Sequence, residues 1–329
     1  MRKIEINLKE VTRPILEDLK IFQKELEEAV HSEVRLINII GKYILRHRGK
    51  HFRPILTILV SRMCGKPTLN SYRAAALIEI LHIASLVHDD VVDDATLRRG
   101  FPSINRVWKN RISILMGDFL FSKALINMIG LKDFDVLDII SRTAEQMASG
   151  EMMQIQKTAS RSFSERSYFD MINRKTASLI AASCELGALT TSKKPGDRLA
   201  FKNYGNKLGM AFQIKDDLFD FLGQEENIGK NKGTDIRKNL VTLPLIHSYS
   251  TLPKSERKQI DRLLRQRRKS NNDLDEITEI IRNAGGFEYA YQKIDEYSHQ
   301  ALNALSPYPD TIYKQSLTDL VLFNVQRSN

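Results

Sequence analysis

The sequence predicts an all-α protein in which residues 1–329 form one domain, a bundle of roughly ten or more helices. Three observations lead to this prediction. Long segments carry apolar residues at helical spacing, only 9 prolines and 16 glycines interrupt the chain, and no convincing run alternates apolar and polar residues. Hydrophobic residues make up 42% of the chain, which is enough for a substantial core.

The longest helical segment is predicted from residue 69 onward, since residues 69–99 contain neither glycine nor proline. The same spacing predicts further helices at 133–156 (apart from Gly150), 169–189, 200–221, 242–249 and 274–305. Short breaks separate these segments around 65–67, 100–102, 193–196 and 223–233. None of the breaks is long enough to indicate a linker between domains.

The composition indicates a soluble or peripheral protein of the cytoplasm. Cys64 and Cys184 have no CxxC spacing, and their apolar surroundings are typical of buried free thiols. The first residues lack the apolar segment of a signal peptide, and no apolar run approaches the ~20 residues of a membrane helix. The net charge of +10 is compatible with nucleic acid, an anionic membrane or an anionic small molecule. No recognised nucleic-acid-binding motif is present.

The first candidate functional feature is the acidic segment HDDVVDDATLRRG at 88–100. Because each helical residue turns by about 100°, Asp89 and Asp93 lie about 40° apart on one face, with Asp90 beside them. Like charges at this spacing destabilise a helix unless something offsets their repulsion. Mg²⁺ does so with oxygen ligands, typically one or two carboxylates plus substrate phosphates. The alternative is a solvated helix end paired with the arginines that follow it.

A second acidic segment, FQIKDDLFDF at 212–221, repeats the DDxxD spacing. Its members are Asp216, Asp217 and Asp220, and apolar residues surround them. An acidic triplet within an apolar helix is difficult to explain as a solvated face. Two such helices facing one another are predicted to hold several Mg²⁺ ions around one diphosphate.

Cationic residues near the first motif are candidate anion ligands, because their side chains pair with phosphate oxygens. Two of them end the motif, and two lie near a glycine turn and just before Pro54 in RHRGKHFRP at 46–54. A histidine lies two helical turns before the motif on nearly the same face. In chain order these candidates are Lys50, Arg53, His82, Arg98 and Arg99. The segment GKNKGTDIRKN at 229–239 lacks the spacing of a P-loop.

These motifs, in this order, resemble the trans-isoprenyl diphosphate synthase family. GKHFRP resembles the family's GKxxRP segment, KTASL resembles KTAxL, and GKNKGTD…TLPL resembles GKxxGxDxxxxxTLPL. The similarity begins near residue 50 and covers nearly the whole chain. It implies the isoprenoid synthase fold, a helical bundle around a central cavity. The implied reaction condenses isopentenyl diphosphate with an allylic diphosphate, for which farnesyl diphosphate is the expected primer.

The resemblance also implies a role for each matching residue. The Mg²⁺ ligands would be Asp89, Asp93, Asp216 and Asp220, supported by Asp90 and Asp217. Arg98 would bind the allylic diphosphate. The isopentenyl diphosphate ligands would be Lys50, Arg53, His82 and Arg99. The residues facing the reacting carbons and the leaving group would be Lys175, Thr176 and Gln213.

One loop departs from the family pattern. Asn239 and Leu240 stand where many members have Gly-Lys, which removes one potential phosphate contact and leaves Lys230 as the cationic candidate in this loop. NLVTLPL at 239–245 also resembles the catalytic subunit of heteromeric hexaprenyl or heptaprenyl diphosphate synthases. Such enzymes need a small non-catalytic partner, so the expected assembly is either a homodimer or a heterodimer with that subunit. A quinone side chain such as that of menaquinone is the expected use of the product.

Product length is predicted from the residues preceding the first motif. Ala84 lies about 7.5 Å along the helix from Asp89, and Ser85 is the next position. Short-chain family members commonly place an aromatic residue here, so two small residues predict a medium- or long-chain product. The floor of the path is expected at Leu81 and its neighbours Leu77 and Ile78, or at Phe119 or Phe121.

Two other enzymes are alternatives. One is a short-chain synthase, which makes farnesyl or geranylgeranyl diphosphate. A class I terpene cyclase shares metal-dependent ionisation, but it has no need of a second diphosphate site. The cations at Lys50, Arg53 and His82 therefore argue against a cyclase.

Overall fold

The computed structural model describes residues 7–47, 49–160, 163–222, 234–266 and 268–326. Nearly all regular structure in these residues is helical, so the predicted all-α class is confirmed. The helices are α1 (Leu8–Thr12), α2 (Leu16–Val30), α3 (Arg35–Arg46), α4 (Phe52–Cys64), α5 (Leu69–Val92), α6 (Ile104–Gly130), α7 (Phe134–Ser160), α8 (Glu165–Ile172), α9 (Ser178–Leu189), α10 (Asp197–Leu222), α11 (Thr234–Arg237), α12 (Leu243–Thr251), α13 (Lys254–Arg265), α14 (Asn271–Asn283), α15 (Gly286–Leu305) and α16 (Ile312–Gln326). A 3₁₀ turn, Arg13–Ile15, links α1 to α2, and a π-helical turn, Asn173–Ala177, links α8 to α9.

Three predicted helices have different limits in the structure. The segment 169–189 is interrupted by the π-helical turn, and 274–305 is divided before α15 by Gly285, whose φ is +73°. Glycine adopts this left-handed conformation without steric cost, so it separates two helices that share one hydrophobic periodicity. Helix α5 ends at Val92, and the residues up to 99 continue into a hairpin.

A two-stranded antiparallel hairpin follows the first aspartate motif, although no strand is predicted there from the sequence. It pairs β1 (Leu97–Arg98) with β2 (Phe101–Pro102). Arg99 and Gly100 form the turn with φ values of +54° and +81°. Two residues with positive φ match the twist of a tight hairpin. Strands of two residues are too short to show an alternating pattern in the sequence.

The helices define two opposite ends of the bundle. At the end called here the motif end, α5 and α10 finish with their aspartates. At the opposite end, called the distal end, α5, α7, α10 and α16 begin. Contacts at the starts of helices establish the distal end: Arg198 of α10 pairs with Asp135 of α7 at 3.1 Å, and Tyr308, just before α16, donates to Asp197 at 2.9 Å. A further contact joins Thr311 to Met63 at the end of α4.

The hydrophobic core comprises two clusters that α10 connects. One cluster is built mainly from α2, α4, α5, α6 and α9, and the other from α8 and α12–α15. The first half of α10 contributes Tyr204 and Leu208 to one cluster, and the second half contributes Ile214 and Leu218 to the other. Helix α10 therefore anchors the second aspartate motif in both parts of the core.

Close packing of α9 against α10 depends on glycine. A Cβ added at Gly205 would lie 2.7 Å from Ile180 O and 2.9 Å from Ala181 Cα. Backbone atoms cannot move aside as a flexible side chain can. Gly205→Ala is therefore expected to destabilise the protein by about 1–3 kcal/mol through overpacking.

Urea denaturation of Gly205→Ala beside Gly41→Ala tests this expectation. Gly41 lies within α3, and a Cβ added there has nothing within 4 Å. Because alanine is the better helix former, Gly41→Ala is expected to stabilise by about 0.5–1 kcal/mol. Equal unfolding midpoints for the two variants would contradict the packing argument.

Helix α6 differs from the rest in its apolar content. Among the described residues it is the one helix long and apolar enough to cross a membrane by length and composition. The sequence contains no uninterrupted apolar run of that length, because polar residues are interspersed along α6. A core helix of a soluble protein meets the same criteria, and Met116, Leu120 and Ala124 of α6 are buried in the core.

Candidate active site

The second aspartate motif lies in the last turns of α10, where protein donors fix Asp217. Tyr168 Oη donates to Asp217 Oδ2 at 2.6 Å, and Gln213 Nε2 donates to Oδ1 at 2.7 Å. Thr176 Oγ1 donates in turn to Gln213 Oε1 at 2.7 Å. Burial raises the pKa of Asp217 to about 7, while its two donors act in the opposite direction. Thr176, Gln213 and Asp217 are thus joined in one hydrogen-bonded chain.

The first aspartate motif ends α5 and contains one buried and one partly buried carboxylate. Asp90 is 4% exposed and accepts from Arg98 Nε at 2.9 Å, so the hairpin arginine neutralises it. Burial raises the pKa of Asp89 to about 6, and the negative charge of Glu151 raises it further. Lys175 acts in the opposite direction. Asp89 therefore lies among charges contributed by three different helical segments.

Lys175 occupies the π-helical turn between α8 and α9. Its Nζ pairs with Glu151 and donates to Gln154 Oε1 at 3.0 Å. The absence of a side chain at Gly150 allows this approach, because a Cβ there would lie 2.5 Å from Lys175 N. A π-helical turn inside a longer helix often occurs at a functional site. Here it directs Lys175 towards the face of α7 that carries Glu151 and Gln154.

The short helix α11 connects the two aspartate motifs. The backbone N–H of Asp235 donates to Asp220 Oδ2 at 2.8 Å. Three residues later, Lys238 Nζ lies 3.2 Å from Asp93 Oδ2. The charge of Lys175 acts on both Asp89 and Asp235. The structure therefore brings both motifs to the same end of the bundle, around a shared set of cations.

Arg53 and His82 form a direct contact beside this acidic region. An Arg53 N–H donates to His82 Nε2 at 3.0 Å. Burial and the charges of Arg53 and Arg99 hold the pKa of His82 well below its ordinary value, so the imidazole is neutral and accepts the bond. Burial also lowers the pKa of Arg53 to about 10, and the negative charge of Glu79 opposes that effect.

Buried polar atoms in this cluster lack partners within the described part of the chain. They are Nε2 of His51 and Nε of Arg53. His51 Nδ1 lies 2.9 Å from Glu79 Oε1, which accounts for only one of its ring nitrogens. Unpaired buried donors are costly unless a ligand or water satisfies them, so the cluster matches an anion-binding region.

The other two predicted anion ligands lie beside Arg53 in different environments. Arg99 packs its guanidinium over Gly49, where an added Cβ would lie 2.4 Å from Arg99 Cζ. Lys50 is exposed, and its Nζ lies 5.4 Å from the ring centre of Phe323 near the end of α16. The hairpin and the glycine turn are therefore adjacent, as the two motifs require if they bind one anion.

The predicted chain-length residues lie on α5 but differ in burial. Leu81 and Ala84 are 3% and 1% exposed, so both side chains are packed within the core. Ser85 is partly exposed and donates to His82 O at 2.9 Å. The expected open path at Ala84 is therefore not seen, and the role of all three residues in product length stays a prediction.

The two phenylalanines considered for the floor of the path separate in the same way. Phe119 packs against the core, whereas Phe121 is 39% exposed on the outer side of α6. The Phe121 side chain therefore does not lie in the interior of a single chain, and its role as a floor residue stays a prediction.

The departure from the family pattern at residues 239 and 240 has a structural counterpart. Asn239 adopts a φ of +60°, which asparagine tolerates well, and its side chain accepts from Lys269 Nζ at 2.7 Å. Leu240 N donates to Asp235 O at 2.8 Å. The two residues thus close the turn after α11. Lys230, the cationic candidate of the preceding loop, lies outside the described residues.

The described carboxylates do not form a complete metal cage. In the ranges that the structure covers, no group of three or more His, Cys, Asp or Glu side chains is placed to hold an ion by itself. Mg²⁺ typically takes one or two carboxylates and completes its shell with water and substrate phosphate. The hard oxygen donors at the ends of α5 and α10 suit that mode of binding, in which a diphosphate is part of the site.

Comparison with known proteins establishes the family. A family model described as "Polyprenyl synthetase" matches residues 34–281, a span that includes both aspartate motifs and the cation cluster. The chain belongs to the polyprenyl synthetase family. It is a prenyltransferase and a trans-polyprenyl diphosphate synthase, as the sequence predicts.

Individual members of the polyprenyl synthetase family resemble the chain over its full length. The all-trans-nonaprenyl-diphosphate synthase (geranyl-diphosphate specific) of Rhodobacter capsulatus is 32% identical, covering 97% of each chain. Heptaprenyl diphosphate synthase component 2 of Geobacillus stearothermophilus is 34% identical, covering 97% of this chain and 98% of that one. A solved structure of the Caulobacter crescentus CB15 polyprenyl synthase, complexed with calcium and isoprenyl diphosphate, is 29% identical. It has a TM-score of 0.91 and covers 99% of this chain and 100% of that one.

Several polar residues at this synthetase site were not predicted from the sequence. They are His51, Glu79, Glu151, Gln154, Tyr168, Asp235 and Lys238. Glu151 and Gln154 could have been found from the sequence, because they lie about one helical turn apart on one face, directly after Gly150. Tyr168 had no such signal, because a single tyrosine within the mixed segment SERSYFD belongs to no motif and is indistinguishable from a structural residue.

Proposed function

We propose that this synthase adds isopentenyl diphosphate units to an allylic diphosphate and produces a medium- or long-chain all-trans polyprenyl diphosphate. One observation carries the proposal. The aspartates that end α5 and α10 converge at the motif end, beside a separate cluster in which Arg53 and Arg99 are cationic and His82 is neutral. One acidic and one cationic region suit two diphosphates bound in different ways, the first through metal ions and the second directly.

The proposed metal ligands are Asp89, Asp93, Asp216 and Asp220, with Mg²⁺ as the ion. When bound, Mg²⁺ would neutralise the charge that develops on the departing diphosphate. Asp90 and Asp217 act differently, because both already accept hydrogen bonds within the protein. Arg98 donates to Asp90, and Tyr168 and Gln213 donate to Asp217. The two aspartates hold the ends of α5 and α10 in place and leave neighbouring carboxylates to the ions.

Lys175, Thr176 and Gln213 are proposed to stabilise the leaving diphosphate and the carbocation. Lys175 supports the leaving diphosphate with its positive charge, and Thr176 and Gln213 direct oxygen atoms towards the reacting carbons. Gln213 Oε1 accepts from Thr176, but a carbonyl oxygen has a second lone pair that remains for the cation. The allylic C–O bond breaks and gives the carbocation and a free diphosphate. Attack by the isopentenyl double bond then forms the new C–C bond, and the proton lost afterwards passes to the released diphosphate. Water must be excluded until then, or it would capture the cation.

Farnesyl diphosphate is the proposed primer and a quinone side chain, such as that of menaquinone, the proposed use of the product. The nonaprenyl relative is described as geranyl-diphosphate specific, so geranyl diphosphate is the alternative primer. Relatives named nonaprenyl and heptaprenyl synthases support a long product over farnesyl or geranylgeranyl diphosphate.

Product analysis tests this function. The protein is incubated with Mg²⁺, labelled isopentenyl diphosphate and either geranyl or farnesyl diphosphate, and the chains are separated by length. Products of 30 carbons or more, the hexaprenyl length and above, are expected. Cyclic hydrocarbons without incorporated label would support a terpene cyclase, and products no longer than geranylgeranyl diphosphate would support a short-chain synthase.

Arg53→Ala is expected to raise the KM for isopentenyl diphosphate by roughly tenfold or more, because a buried charged hydrogen bond is lost. The KM for the allylic primer should change much less. Steady-state kinetics with each substrate varied in turn measures the difference. Arg142→Ala, which removes an exposed arginine paired with Asp138 on α7, serves as the control. A larger effect on the primer would assign Arg53 to the other diphosphate.

A second copy of the chain is proposed to cover the outer side of α6 in a homodimer. This side exposes large apolar residues, Ile114, Leu115, Leu125, Ile126 and Ile129. Arg111 and Asp118 lie two helical turns apart on it, so two antiparallel α6 helices would pair each arginine with the partner's aspartate. Light scattering of the wild-type protein should give twice the mass of one chain. The double variant Leu115→Asp with Ile126→Asp should give the mass of a single chain. A wild-type monomer would instead favour a heterodimer with a small subunit, as heptaprenyl "component 2" relatives suggest.

A further inference from the structure

The distal end of the bundle exposes a large apolar side chain at the start of each of four helices. These residues are Leu69 of α5, Phe134 of α7, Leu199 of α10 and Ile312 of α16, exposed by 48%, 86%, 60% and 61%. Exposed apolar residues are ordinary when scattered singly, but a group of them marks an interaction surface. The group shares one end of the protein, because the first turns of α7 and α10 are in contact and the start of α16 contacts the end of α4, which leads into α5.

Lysines surround this apolar group. Lys66, Lys132, Lys193 and Lys194 are exposed in the loops that lead into α5, α7 and α10. Within the described part of the chain, none of the four forms an ion pair. Two nearby acids, Asp135 and Asp310, are paired with Arg198 and Lys314. Asp133 and Asp197 also lie at this end, where their carboxylates accept hydrogen bonds. The four lysines outnumber these two carboxylates. The four apolar residues and the four lysines together are called the distal face, and its uncompensated charge is positive.

A cavity opens between the same loops. It is lined by residues 68–70, 131, 133, 136, 189 and 190, and its volume is about 460 Å³. Leu69 borders it directly, and Phe134 lies between two of its lining residues. The distal face is therefore indented beside Leu69 and Phe134.

We propose that the distal face docks onto an anionic lipid bilayer. Aromatic and aliphatic side chains enter the boundary between headgroups and acyl chains, while lysines pair with anionic headgroups. A surface that is both apolar and basic suits this partner better than a purely charged one. The basic helix α13 provides the contrast, because it exposes Lys254, Lys258 and Arg265 but no large apolar side chain.

The position of the distal face gives the docking a purpose that rests on the proposed function. Asp89 lies 20 residues from Leu69 along α5, which corresponds to about 30 Å. A polyprenyl chain that lengthens along α5, away from its diphosphate, approaches the distal end as it grows. Docking there would place the apolar end of a long product at the membrane that receives it.

Vesicle flotation of the full chain, without substrate, tests the docking separately from catalysis. The protein should float with vesicles of phosphatidylcholine and phosphatidylglycerol, bind far less to phosphatidylcholine alone, and lose binding as salt is raised. Replacing Lys66, Lys132, Lys193 and Lys194 together by glutamate should lower the partition coefficient by roughly a hundredfold or more. Phe134→Ser with Leu199→Ser should also reduce it, which a purely electrostatic contact would not predict.

The matched control reverses four charges on another surface, with Lys254, Lys258, Arg265 and Arg268 replaced by glutamate. This variant should keep at least most of the binding, because it leaves the distal face intact. Loss of binding in the α13 variant but not in the distal variants would overturn the proposal, as would equal binding of the wild-type protein to neutral and anionic vesicles.

Two further measurements separate the remaining outcomes. Light scattering of the distal variants should give the same mass as the wild-type protein, since a change would make the face a contact between protein subunits and overturn the proposal. Condensation of a short primer in detergent should be unaffected in the same variants. Vesicle binding by a protein that makes no polyprenyl product would disprove the proposed function and leave the docking standing.

Discussion

Replacing Asp89 or Asp216 by alanine is expected to lower kcat by roughly a hundredfold or more, the usual cost of removing one preorganised electrostatic group from an active site. Each aspartate ends a different helix, and the two helices meet through α11 and Lys175. Loss of either carboxylate should weaken the binding of Mg²⁺ around the same diphosphate. The two single variants should therefore have similar defects.

The double variant makes this prediction sharper. If Asp89 and Asp216 act on one diphosphate, combining the two substitutions should cost less than the product of the single effects, because residues that act as a unit are not additive. Asp138→Ala is the control, since Asp138 is an exposed aspartate of α7 paired with Arg142. Near-normal turnover in either single variant, at a Mg²⁺ concentration that saturates the wild-type protein, would refute the two-motif mechanism.

Ala84→Phe is expected to shorten the product while leaving the first condensation largely intact. Ala84 lies about 7.5 Å along α5 from Asp89, so an aromatic ring there would block a tail that passes along α5 but would not reach the carboxylates. Product chains should then end after one or a few additions. The measurement is the length distribution of labelled products, together with the rate of the first addition.

The burial of Ala84 requires a companion variant. Ala84 is 1% exposed, so a phenylalanine at this position must displace core neighbours. Such overpacking typically lowers the free energy of unfolding by about 1–3 kcal/mol and can reduce the yield of folded protein. Ser85→Phe places a ring at the next, partly exposed position and should be tolerated better. Thermal unfolding of both variants separates lost stability from a blocked path. Long products from a stable Ala84→Phe protein and a stable Ser85→Phe protein would show that the tail takes another route.

Helical periodicity and motif spacing were sufficient for the class of fold and the location of both aspartate motifs. Periodicity is a local property, because apolar residues three or four positions apart share a helix face whatever the rest of the chain does. It was less informative at the boundaries. The division before Gly286 and the π-helical turn before Ser178 depend on backbone conformations that do not change the apolar pattern.

The sequence by itself therefore determined an all-α chain, two DDxxD segments each on a helix, and the cationic residues that accompany them. Tertiary structure decided which groups touch: Arg53 with His82, Tyr168 with Asp217, and Lys175 with Glu151. These pairs are separated by at least 24 residues, so their contact follows from how helices pack and not from spacing along one of them. The distal face has the same origin, because four helix starts distant in sequence become one surface only when the bundle aligns them.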